Sequence, residues 1–135
     1  MTAKEYLKRG LFLNKHIEAK IEQVAMLNAM AIKTTPTLSD MPSSGNHDNS
    51  KMENTILKII SLQDEINDEI DRLVDTKKEV MNVIENVEES EERLVLTLRY
   101  LNFLPWEQVA QRMGCSERNV HNLHGRALEH VVVPS

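Results

Sequence analysis

Ser116, Glu117, Arg118, His121, Asn122 and Arg126 lie within one short stretch, SERNVHNLHGR, and a helix opening after Ser116 would turn them outward together. Their chemistry is that of groups that bind phosphates and base edges. A serine at a helix N-terminus donates to a phosphate beside free backbone N–H groups. The Arg118 fork matches guanine O6 and N7, the Asn122 amide matches adenine N6 and N7, and Glu117 can accept from cytosine N4. His121 and Arg126 would add base or backbone contacts. A plainer reading stands beside this one: Glu117 complements the helix dipole and Arg126 pairs with Glu129 at the surface.

Such a helix needs a partner that presents it. A helix-turn-helix requires a small residue where its helices cross, a residue tolerant of positive φ in the turn, and an apolar anchor in the second helix. Ala110, Gly114 and Val120 supply these in order. Val109, Met113, Cys115, Leu123 and Ala127 then fall on inward faces, with Cys115 expected as a packed thiol. Pro105 suits the first turn of one helix, Gly114 its end and Ser116 the cap of the next. Ser90, followed by Glu91 and Glu92, reads as the N-terminus of a preceding helix. The expected helices are 91–102, 105–113 and 117–131. Trp106 is expected to pack beneath the LVLTLRYL helix; exposed, it would be a docking anchor for protein.

The stretch LTLRYLNFLPWEQVAQRMGCSERNVHNLHGRALEHV, residues 96–131, resembles region 4 of the sigma-70 family. The resemblance implies a recognition helix in the major groove of promoter DNA and a surface that touches RNA polymerase. Two-component response regulators share much of the same pattern. What precedes the stretch departs from sigma factors, because no helix rich in aromatic and basic residues is present to capture melted DNA. The layout is similar to that of small phage and prophage transcription regulators of Gram-positive bacteria.

The upstream chain has a different character. Residues 51–90 carry eleven acidic and five basic side chains, while residues 91–135 carry five of each, so the net charge of −5 is concentrated in the middle. Thr2 and Glu5 form a capping box for a helix to residue 33, with Leu7, Asn14, Ile17, Ile21, Val24, Asn28 and Ala31 as an imperfect seam. Gly10 inside it costs about 1 kcal/mol against alanine. A second helix from near Ser50 to about Val87 places Ile56, Ile59, Gln63, Ile66, Ile70, Leu73, Lys77, Val80, Ile84 and Val87 in three-four spacing, a coiled-coil signal. Gln63 and Lys77 either fix register there or mark a splayed part of the seam. The division expected is an N-terminal helix (1–33), a flexible loop (34–50), a long acidic coiled-coil helix (51–89) and a helix-turn-helix domain (90–135). Helix two outlasts helix one, so its excess either buries against the C-terminal domain or pairs with another copy. In the second case Ile66, Ile70, Leu73, Val80, Ile84 and Val87 form an oligomerisation seam and the protein is a homodimer.

The fold class expected is all-α: a long antiparallel helical hairpin followed by a small three-helix helix-turn-helix domain. One cysteine, no signal-peptide pattern and no apolar run near the roughly 20 residues of a membrane span point to the cytoplasm. His121, His124 and Cys115 lack further ligands at zinc spacing, so no metal and no cofactor are expected. His47 and Asp48 read as solvated loop residues. With no phosphate loop and no nucleophile elbow, the chain does not read as an enzyme. The function expected is DNA-binding transcription regulation with double-stranded DNA as partner, RNA polymerase as a further one, and no membrane. The alternative is a module that binds RNA polymerase or another regulator without base contacts.

Overall fold

A computed structural model describes residues 1–34 and 45–135, with side chains at 1–32 and 50–135. Five helices follow in order: α1 (Ala3–Thr34), α2 (Gly45–Glu85), α3 (Ser90–Tyr100), α4 (Trp106–Met113) and α5 (Glu117–Glu129). No strand occurs among the described residues. The capping box opens α1 in both directions: Glu5 N–H donates to Thr2 Oγ1 at 3.2 Å, and Thr2 N–H to Glu5 Oε2 at 3.3 Å. Helix α2 begins at Gly45, ahead of the expected Ser50. Once a helix is nucleated each added residue costs little, so polar residues that favour turns are carried into it. The rest of the expected loop, 35–44, lies outside the described residues.

Contacts gather the chain into two units, residues 1–14 with 72–135 (the head) and residues 15–71 (the hairpin). In the head, Tyr6 and Leu7 from α1 and Val80, Val83 and Ile84 from α2 share one core with α3, α4 and α5. Val80, Ile84 and Val87, expected in a seam for a second copy, are 1–2 % exposed within this core. Side chains of α3, α4 and α5 share the core that covers these three residues, the first of the two fates expected for the end of the second helix, which leaves them little surface for a second copy. Phe103, in the α3–α4 turn, takes φ 57 and lays its ring over Gly10, where an added Cβ would meet it at 3.6 Å. A β-carbon is strained in that backbone region, so the turn is held by what Phe103 packs against. Lys77 Nζ lies 4.6 Å from the centre of the same ring.

Ser90 is not the cap of α3. Glu89 takes the extended cap conformation without a capping side-chain bond, and the turn before it is tied by Arg93, whose guanidinium donates to the Val87 and Glu88 carbonyl oxygens at 2.7 Å. One charged nitrogen, Nη1, thus satisfies two carbonyls of the preceding turn, while the first N–H groups of α3 receive no capping side chain.

The hairpin shows a burial pattern that repeats every seven residues. Ile17, Lys20, Val24, Leu27 and Ala31 of α1 are covered, as are Met52, Thr55, Ile59, Leu62, Ile66 and Glu69 of α2. Lys20 bridges Glu65 and Glu69 while Met30 shares a groove with Lys51, Thr55 and Lys58, so the two helices run antiparallel. The expected seam was offset toward one flank: Ile21, Asn28, Ile56, Gln63 and Ile70 are exposed. An ion pair takes the place of apolar layers, with Lys20 Nζ 2.5 Å from Glu69 Oε1. That bond raises the Lys20 pKa. Only Ile17 and Ile66 of the hairpin's described side chains are fully buried.

Candidate nucleic-acid interface

The turn between α4 and α5 is built by the backbone. Gly114 adopts φ 68, ψ 34 and ends α4, with its N–H donating to Gln111 O at 3.3 Å and the Cys115 N–H to Ala110 O at 3.1 Å. This paired closure is a Schellman motif, and it needs a residue that tolerates the left-handed region. Ser116 then caps α5, its hydroxyl accepting from Asn119 N–H at 3.2 Å. Ala110 and Val120 are buried where the two helices cross, with Val109, Leu123 and Ala127 beside them. Cys115 is exposed, against the expected packed thiol. The Schellman bond fixes its backbone, and the left-handed step at Gly114 carries its side chain away from the core.

All six residues singled out from the sequence are exposed: Ser116 and Glu117 at the N-terminus of α5, then Arg118, His121, Asn122 and Arg126 along it. They do not share one environment. No side-chain hydrogen bond or ion pair among the described residues engages Arg118 or Asn122. Arg126 lies at the acidic side, where its charge helps to hold the Glu92 carboxyl below its usual range. His121 packs its ring on Trp106 at 4.7 Å between centroids. Trp106 is half-buried against the core, with the Arg99 guanidinium 4.7 Å over its ring and His124 at its edge.

Beneath this layer His124 is 7 % exposed, and its Nε2 is 2.6 Å from the Tyr100 hydroxyl. Burial pushes His124 down to about 4, helped by the charges of Lys4, His121, Arg99 and Lys8, and burial pushes Tyr100 up to about 12. Both groups are therefore neutral at pH 7, joined by a bond without net charge. The same charges reveal what a linear reading misses. Lys4 and Lys8, more than a hundred residues earlier in the chain, lie close enough to α5 to act on its histidine. Their helical spacing puts them on one side of α1, but only the tertiary fold says what that side adjoins.

On the other side of the head, Glu92 is 1 % exposed and its Oε1 lies 2.5 Å from His130 Nδ1. Hydrogen bonds from Glu89 and then His130 lower the Glu92 pKa, while the bond to Glu92 raises that of His130. This pair ties the first residue after α5 to the first turn of α3.

No helix among the described residues is long and apolar enough to cross a membrane. Residues 89–131 match the family model described as Sigma-70, region 4, a span that covers α3, α4 and α5 and leaves α1 and α2 outside. No curated protein and no solved structure matches the chain. The matched segment is similar to sigma-70 region 4, and within it α4, the Gly114 turn and α5 form a helix-turn-helix.

Proposed function

We propose that this chain is a transcription regulator that binds double-stranded DNA by laying α5 in the major groove. The observation that carries the reading is the outward face of α5 within the matched segment, where Arg118 and Asn122 stand exposed and unengaged by the described residues. Base edges offer these two groups the bidentate partners that the protein surface does not. Ser116 and the first N–H groups of α5 are suited to a phosphate, and Glu117 to a cytosine amine. His121, held by Trp106, has less freedom and serves as a shape contact, while Arg126 is placed for backbone. Lys4 and Lys8 add positive charge beside the groove-facing helix despite the net charge of the chain.

The cytoplasm is the compartment this reading implies, with RNA polymerase as a second partner through the head and a phage-derived regulator as its origin. Two copies acting together would read half-sites one helical turn apart, about 34 Å, or a multiple of it.

The test is a salt titration of binding to genomic DNA fragments. Affinity should fall steeply with salt, and Arg118→Ala or Asn122→Ala should each cost about 1–3 kcal/mol on a bound site. No binding at low salt would instead favour a module that docks on protein.

A further inference from the structure

The hairpin has two sides of opposite character. With Ile17 and Ile66 taken as heptad position a, the covered residues are a and d on both helices, and in an antiparallel pair the e positions of the two helices share one flank while the g positions share the other. Lys20 reaches Glu65, a g residue, and so marks the g flank. The e and b residues on the opposite flank are Ile21, Ala25, Asn28 and Ile32 of α1 and Ile56, Ile60, Gln63, Asn67 and Ile70 of α2, all exposed. None of these is charged; Glu18 and Glu53 bound the stripe at its two ends. Five of them are isoleucines left 40–68 % exposed.

Surface positions beside a coiled-coil seam are ordinarily Glu or Lys, as Lys58 and Glu65 are on the g flank. We propose that this isoleucine flank is the surface on which a second copy of the chain docks, two hairpins closing into a four-helix bundle. The occupant follows from charge. A second copy brings the same acidic α2, and the uncharged flank is where two such helices meet without like charges facing each other. A strongly charged partner, basic or acidic, would find no charged side chain within the stripe to pair with. A hairpin with only Ile17 and Ile66 fully buried also lacks a core of its own, and a two-fold partner supplies one from the same side chains. Asn28, Gln63 and Asn67 lie within the stripe, where polar groups paired across an interface fix register.

The assignment rests on the pairing of copies proposed above and not on DNA binding, so the experiment reads the mass of the full chain without DNA. Light scattering over about a hundredfold range of concentration should show a dimer. Ile60→Glu with Ile70→Glu should give a monomer of unchanged helicity by circular dichroism, whereas Met26→Glu on the opposite flank should leave the dimer intact. If the double glutamate variant unfolds, Ile60→Ala with Ile70→Ala replaces it and should weaken the dimer at least about tenfold. A wild-type monomer across the range overturns the pairing and the surface together. A dimer indifferent to changes at Ile60 and Ile70 overturns this surface and leaves the pairing standing.

Discussion

Helices α1 and α2 pass through both units, yet their apolar residues meet different fates in each. In the head, three short helices add a further layer, and fifteen side chains form one buried cluster. In the hairpin, among the described residues, the same two helices pack only on each other, and Ile21, Ile32, Ile56 and Ile60 remain 45–68 % exposed. A heptad pattern therefore states that a face will be covered but not by what. The difference lies in the number of neighbours available to each stretch, not in its periodicity.

The sharpest way to break this contrast is to remove one methyl-rich side chain from each unit. Leu7→Ala, at a position with no exposed surface, should cost roughly 2–5 kcal/mol in denaturant unfolding and destabilise α5 along with α1. Met26→Ala, 65 % exposed in the hairpin, should stay within about 0.5 kcal/mol. Equal losses would mean that the two units are buried alike.

Acid should separate the units next. His124 is held down to about 4 from 6.5, so the unfolded chain takes up its proton first. Its contribution is present above pH 6.5 and is lost as pH falls toward 4, by on the order of 3 kcal/mol at most. Glu92, with its pKa lowered, loses stability in the same direction, whereas His130, with its pKa raised, contributes at low pH and loses that contribution as pH rises through its folded value. Comparing His124→Gln with wild type isolates the first effect; a variant that keeps the full acid sensitivity would show that His124 is not its source. The hairpin's Lys20 has its pKa raised from 10.5 and gives up stability only at the alkaline end.

The smallest effect sharpens the comparison at the point where α1 enters the head. A Cβ at Gly10 would meet the Phe103 ring at ordinary contact distance, so Gly10→Ala should stabilise the chain by up to about 1 kcal/mol through helix propensity. A loss of stability in thermal unfolding would mean that the ring cannot tolerate the added methyl group.

Local chemistry was the part most legible in the sequence. Thr2 with Glu5, Gly114 and Ser116 each do what their types require within a few residues, and Ala110 and Val120 are buried as their spacing demands. Less legible was which line of a broad apolar stripe faces inward. Isoleucines at e and b imitate a seam, while the true seam contains Lys20 and Glu69, whose charges resemble surface until they are seen paired. The candidate interface was readable as a set of side chains on one helix, but not its setting. Trp106, Tyr100 and Arg99 close over His124 from other helices, and Lys4 and Lys8 arrive from the far end of the chain. No window along the sequence brings those groups together.

Tyr6 and Leu7 are translated long before the segment that covers them, and the Arg9–Glu79 bond closes a separation of 70 residues. On the ribosome, the first two turns must wait for Val80 to Ala127 before they can leave water. Helical proteins rich in local contacts fold quickly, but this head carries a distant clasp that loop closure must complete. Its rate of assembly should therefore follow the length of the intervening arm: a shorter arm would speed maturation without altering one residue of the recognition surface.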